Sequence, residues 1–283
     1  MIAITGASGK LGSLTIRILK NHVDPEEIVA VARSPEECTD LNEYGIWVRG
    51  GDYNSKESMI DALQNVDKLL QISTTATGKK GIQQERNVVN AAKYCGVKRI
   101  IYTSSLHACR ESRFLATQQA SATESFIKQS GFVYSFFRNS LYMELIPNLV
   151  GNASETGVIR YPAGDGKVSF VNRKDIAKAL ASELLNRHEE NRIYEITGSC
   201  SYSFHDLAEL LAQKTGKNML YENITPAEYK ELLNEQSVPT DTVDLLTSLA
   251  RAIRANEFSH YCRTLQDLLN EKPVSLETYL QSI

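Results

Sequence analysis

Three glycines at intervals of three, Gly6, Gly9 and Gly12, separate a short apolar run (residues 2–5) from an amphipathic stretch (residues 11–20). No other feature constrains the fold as tightly, because it reads as a strand that turns straight into a helix. The first glycine permits the tight turn, the middle one lets another group approach the backbone, and the last allows close helix-on-strand packing. The helix N-terminus then offers unpaired N–H groups and partial positive charge, a natural seat for phosphate. The spacing is G-x-x-G-x-x-G rather than G-x-G-x-x-G, and alone it could be a glycine-rich turn. The strand before, the helix after and a further strand beginning at residue 27 favour nucleotide binding.

The alternation continues down the chain. Strand-like runs at 27–33, 47–53, 68–73, 99–105, 132–140 and 192–198 are interleaved with helical patterns at 58–65, 83–94, 116–129 and 175–186. Parallel strands with crossover helices follow, hence an α/β, Rossmann-type doubly wound parallel sheet. After Leu141 the rhythm changes: a GDG turn at 164–166, a capped helix at 203–214 and a Thr225–Pro226 helix start suggest a smaller mixed α/β C-terminal lobe. Residues 238–283 read as helical, with Pro239 and Pro273 as punctuation. The expected division is a dinucleotide-binding domain over 1–140, to which 172–198 return, and a substrate-binding lobe of 141–171 and 199–283.

Composition narrows the partners. A net charge of −3 over 283 residues, without a dense Lys/Arg cluster, carries no electrostatic footprint for nucleic acid. No apolar run approaches the ~18 residues of a membrane span, and with a first strand read at residue 2 no secretory leader is expected. Cys38, Cys95, Cys109, Cys200 and Cys262 are odd in number and scattered, with no C-x-x-C. Neither a disulfide framework nor a metal site is expected, and the reading is a reduced, cytoplasmic protein, monomer or homodimer.

The tip of the second strand bears on the choice of dinucleotide. An NAD site wants a carboxylate there for the ribose 2′-hydroxyl, whereas NADP wants a cation for the 2′-phosphate. Here the strand ends in Ala32, Arg33 and Ser34. Arg33 can pair bidentately with phosphate, although a solvated arginine opening a loop would look the same. NADPH is favoured, with NADH possible.

These motifs resemble the NmrA-like branch of atypical short-chain dehydrogenases/reductases. TGASGKLG (5–12) is similar to that branch's TGATGxLG loop, VARSPEE (31–37) to its Arg-bearing second strand, and GGDYNSKES (50–58) to its G-D-x-x-D/N-x-x-S segment. ERNVVNAAKYCGVKRIIYTSS (85–105) and FFRNSLYMEL (136–145) match its later helix–strand units. Within the branch the chain resembles the quinone-reductase-like and triphenylmethane-reductase groups. The resemblance implies that Gly6, Ala7, Ser8, Gly9, Lys10, Leu11 and Gly12 cradle the cofactor. It further implies that Asp52, with Tyr53 beside it, approaches the adenine.

One departure decides the chemistry. Members of the wider superfamily use a Tyr-x-x-x-Lys pair to move a proton; taking Glu124 as the family's helix glutamate, those positions fall on Ala116 and Ala120. Alcohol–ketone chemistry is therefore poorly supported. Hydride acceptors that need no built-in acid remain: a quinone, whose reduction gives an aromatic hydroquinone anion, or a cationic triarylmethane dye, which hydride neutralises. Ligands in such folds bind at the carboxyl ends of the strands. Ser73, Thr74 and Ser104 are thus expected beside the cofactor, and His107, Asn139 and Tyr142 beside the acceptor. His107 is the titratable candidate for an acid, or a loop histidine without a role. The competing reading is a non-catalytic NAD(P)-binding redox sensor, for which lost catalytic residues suit equally well.

Overall fold

The computed structural model describes residues 1–283. The strands are β1 (Ile2–Thr5), β2 (Ile28–Ala32), β3 (Trp47–Gly50), β4 (Lys68–Gln71), β5 (Arg99–Ser105), β6 (Val133–Asn139), β7 (Val158–Arg160), β8 (Lys167–Val168), β9 (Arg192–Ile196), β10 (Tyr202–Ser203) and β11 (Leu220–Glu222). The helices are α1 (Lys10–Leu19), α2 (Thr39–Asn42), α3 (Lys56–Ala62), α4 (Gly78–Tyr94), α5 (Leu115–Ser130), α6 (Ile146–Val150), α7 (Ala153–Thr156), α8 (Arg173–Leu185), α9 (Phe204–Thr215), α10 (Pro226–Glu235), α11 (Thr240–Arg254), α12 (Thr264–Leu269) and α13 (Leu276–Ser282).

The chain divides into two compact units: Met1–Ser105, Gln119–Arg138 and Lys174–Tyr194 form the first, and Leu106–Gln118, Asn139–Arg173 and Glu195–Ile283 the second. A seven-stranded sheet ordered β3-β2-β1-β4-β5-β6-β9 organises the first. The pairs β3–β2, β2–β1, β1–β4 and β4–β5 are all parallel. This is the Rossmann-type doubly wound order, and its direction reverses between β1 and β4. β2 reads IVAVA with every residue buried, as expected for a central parallel strand covered on both faces. Its core joins Ala3, Val29, Val31, Leu69, Val88, Val89 and Ile100.

The second unit is built around Tyr161, Phe170, Phe204 and Phe258, all essentially without solvent exposure, with the Tyr161 and Phe204 rings stacked at 4.5 Å. Two small sheets serve it, β8–β10 antiparallel and β7–β11 parallel. Both helix starts expected here carry capping boxes: Ser203 with Asp206 opens α9, and Thr225 with Glu228 opens α10, where Pro226 takes the first helical position.

One boundary differs instructively. The pattern places the fourth helix from residue 83, whereas α4 begins at Gly78. Helix propensity argues against its glycines, but Gly81 is required by packing. A Cβ there would lie 2.1 Å from Gln119 Oε1 and 2.3 Å from the Ala76 carbonyl oxygen. Tertiary contact overrides local preference.

Candidate functional site

At the carboxyl end of β1 the chain enters the glycine loop. Gly6 takes φ +61°, and its carbonyl receives the Gly9 N–H at 2.9 Å. A Cβ on Gly12 would lie 2.3 Å from that same carbonyl oxygen, so only glycine lets α1 seat against the loop. Gly9 is the N-cap of α1 and has no side chain to cap it, and the first turn holds no acid. The N-terminal N–H groups of α1 therefore face outward without an internal anion. Gly6, Ser8, Gly9 and Lys10 are exposed, while Ala7, Leu11 and Gly12 are buried beneath them.

The floor of the crevice at the strand-order reversal is tied by hydroxyls. Tyr53 donates to Thr5 Oγ1 and is within 2.8 Å of the Ile72 carbonyl oxygen, and the Ile72 N–H donates to Thr5 Oγ1 at 3.0 Å. Burial holds the Tyr53 phenol well above its ordinary range, so it stays protonated. Its hydroxyl thus braces β1 to β4 from below. The Asp52 carboxylate closes a local turn, accepting from the Asn54 backbone and side-chain amides at 2.9 Å each. At the tip of β2, Arg33 is exposed and makes no ion pair within the chain, and Ser34 is half-buried beside it.

Beyond β4, the Ser73 N–H donates to Thr103 Oγ1 at 2.8 Å. The Thr74 N–H donates to Glu85 Oε1 at 2.8 Å, while its hydroxyl donates to Gln84 Oε1 at 2.5 Å. Gln84 in turn donates to Asn54 Oδ1, linking this loop to the Asp52 turn. Ser104, at the end of β5, donates to Glu124 Oε1 at 2.6 Å, and Arg138 clasps that carboxylate through Nε and Nη2 at 2.9 and 2.7 Å. Ser104 is therefore buried and engaged internally rather than displayed.

Glu85 is the residue that pattern reading missed. It is fully buried, and desolvation pushes its carboxyl up to about 7 against the opposing hydrogen bonds from Thr74, Gln71 and Gln119. The signal lay in the helix: Gln84 and Glu85 occupy the same buried stripe of α4 as Gly81, Val88, Val89 and Ala92. Polar residues on an apolar face ask for a reason.

In the second unit, His107 sits in the turn after β5, exposed, with φ +59°. The neighbouring Leu106 N–H donates to the Asn139 carbonyl at 2.8 Å. Asn139 is buried; its Nδ2 reaches the Tyr142 hydroxyl at 3.4 Å, and its Oδ1 has no partner. Burial pushes the Tyr142 phenol up to about 12, partly offset by the charge of Arg173, whose guanidinium lies 5.3 Å over the ring. Tyr142 is thus a neutral hydrogen-bonding group at physiological pH. The structure joins Asn139 to Tyr142.

A cavity of the first unit, about 930 Å³, opens elsewhere, at the amino ends of the strands, lined by Asp67, Lys68, Arg99, Leu185 and His188 among others. It touches none of the residues above. The open helix N-terminus, not this hollow, marks the candidate site.

The fold and the glycine loop define a Rossmann-type α/β protein with an uncapped helix N-terminus at its strand-order reversal. Comparison with known proteins narrows that class. Residues 1–280 match the model of the NmrA-like family, and the chain belongs to it. It is 39% identical over 246 residues to quinone oxidoreductase 2 of Escherichia coli (strain K12), covering 87% of this chain and 85% of that protein. Its backbone superposes with a TM-score of 0.94, at 35% identity, on the crystal structure of the NADPH-dependent quinone oxidoreductase of Escherichia coli complexed with NADPH, covering 100% and 99% of the two chains. The NADP(H) complex of Citrobacter sp. triphenylmethane reductase gives 0.93 at 33% identity, with the same coverage.

Proposed function

We propose that this chain is an NADPH-dependent reductase that delivers hydride to a quinone or a similar conjugated aromatic acceptor. The observation that carries the reading is the uncapped N-terminus of α1 behind the Gly6–Gly12 turn, with the unpaired Arg33 at the tip of the next strand. That donor set fits a dinucleotide carrying a 2′-phosphate. Kinship with a quinone reductase and a dye reductase whose structures hold NADPH or NADP(H) supports the same assignment.

Gly6, Ala7, Ser8, Gly9, Lys10, Leu11 and Gly12 would hold the pyrophosphate, Arg33 and Ser34 the 2′-phosphate, and Asp52 the adenine side. Ser73 and Thr74 would border the nicotinamide half, with Tyr53 and Ser104 supporting them from below. Bound NADPH supplies the hydride. The protein's task is then to position the partners and exclude water. With Glu124 taken as the family's helix glutamate, α5 would carry no Tyr-x-x-x-Lys proton relay: Ala116 and Ala120 stand at those positions, and Glu124 itself is engaged by Ser104 and Arg138. This suits acceptors whose reduced form takes its proton from solvent. Asn139 and Tyr142 would contact the acceptor as neutral hydrogen-bonding groups, and His107, exposed at its turn, would line the pocket or donate to a quinone oxygen.

The test is oxidation of NADPH by the purified chain, followed with and without benzoquinone or a triarylmethane dye. Acceptor-dependent consumption well above the uncatalysed rate is expected. Tight NADPH binding without turnover on any such acceptor would overturn the reading and favour a redox sensor.

A further inference from the structure

We propose that Glu195, His260 and Cys262 form a binding site for a single zinc ion in the second unit. Their ligand atoms, one carboxylate oxygen, one imidazole nitrogen and one sulfur, all lie within 4.8 Å of one another. Glu195 stands on β9, while His260 and Cys262 come from the segment between α11 and α12.

The segment is anchored, so the donors meet by construction. The Cys262 N–H donates to Thr197 Oγ1 at 3.0 Å, and the Cys262 thiol donates to the Glu195 carbonyl at 3.2 Å. The Thr264 hydroxyl lies 3.3 Å from the same sulfur. Across from it, His260 Nε2 sits 3.1 Å from Glu195 Oε2. Zinc bonds of about 2.0–2.3 Å in a tetrahedron put neighbouring donors about 3.3–3.8 Å apart. The carboxylate and imidazole are already near that separation, and with all three donor atoms within 4.8 Å of one another the sulfur would need to approach by no more than about 1–1.5 Å. The His260 and Glu195 side chains are 60% and 41% exposed, so the ion enters directly from solvent.

The donor set chooses the metal. A thiolate excludes magnesium and calcium as preferred ions, and one sulfur, one nitrogen and one oxygen suit zinc. Three protein ligands leave a fourth position for water. On binding, the thiol proton is released to solvent and the sulfur, imidazole and carboxylate each form one bond to the ion. The His260–Glu195 contact and the Cys262 thiol hydrogen bond are exchanged for metal bonds. Because a proton leaves, affinity rises with pH. An exposed imidazole–carboxylate contact stabilises little, which leaves room for this exchange.

The experiment uses the untagged, reduced, full-length chain. Titration with Co²⁺ in the absence of oxygen should produce the near-ultraviolet thiolate-to-cobalt absorption, saturating at one ion per chain, and Zn²⁺ should displace it. C262S should abolish that absorption. H260Q and E195Q should each weaken Zn²⁺ binding by about tenfold or more, measured by calorimetry. All three variants should keep the wild-type circular dichroism, since a serine hydroxyl can still donate to the Glu195 carbonyl and the other two positions are open to solvent. The proposal is overturned if no saturable binding appears at millimolar metal. It is equally overturned if binding persists unchanged in folded C262S or H260Q, which would place the ion elsewhere.

Discussion

Replacing Glu85 by glutamine should make the protein more stable, and increasingly so as pH rises. Burial moves the carboxyl from 4.5 to about 7, so between those values the unfolded chain is ionised while the native carboxyl keeps its proton. Stability is therefore lost as pH rises through that window and levels off above the native value. A shift of this size corresponds to about 3 kcal/mol. The surroundings agree, because Gln71 Oε1 and Gln119 Oε1 are buried acceptors lacking a donor. With the Gln71 amide turned, its oxygen would face Glu85 Oε2 and accept the acid proton, or an amide N–H in E85Q. Glutamine keeps the acceptor for the Thr74 N–H and cannot ionise. Urea unfolding of wild type and E85Q, from about pH 4.5 to pH 8, isolates this residue, since all other titrations are shared. The stability difference should grow by about 3 kcal/mol in favour of E85Q across that range. Parallel pH dependence in the two proteins would refute the buried, protonated Glu85.

Three further outcomes follow from the site. Arg33→Ala should weaken NADPH binding about 10- to 100-fold, the range of a lost charged phosphate contact, and leave NADH nearly unchanged; equal weakening, read by calorimetry, would remove the 2′-phosphate assignment. Gly12→Val should displace the loop from α1, costing about 1–3 kcal/mol by overpacking and abolishing dinucleotide binding; urea unfolding and fluorescence titration check both. His107→Ala should lower quinone turnover by less than about a hundredfold, within the range of one positioned acid; complete loss in a folded variant would contradict solvent protonation.

The strand rhythm, the glycine turn and both helix starts of the second unit were legible in the chain because each is a local preference written in adjacent residues. Hydrophobic period, backbone freedom at Gly6 and short-range hydrogen bonds at Ser203 and Thr225 need no distant partner. Arg33 was equally legible, as the side chain at the end of a buried strand. The tertiary structure alone decided what depends on meeting across the chain. It required a glycine at position 81 of α4, where Gln119 and Ala76 leave no room for a Cβ, and it turned Tyr53 and Ser104 inward toward Thr5 and Glu124. It buried Glu85 beneath the Thr74 loop, and it brought Cys262, unremarkable by spacing, beside Glu195 and His260. A proton's affinity and a donor's availability are set by neighbours in space, and those neighbours exist only once the chain has folded.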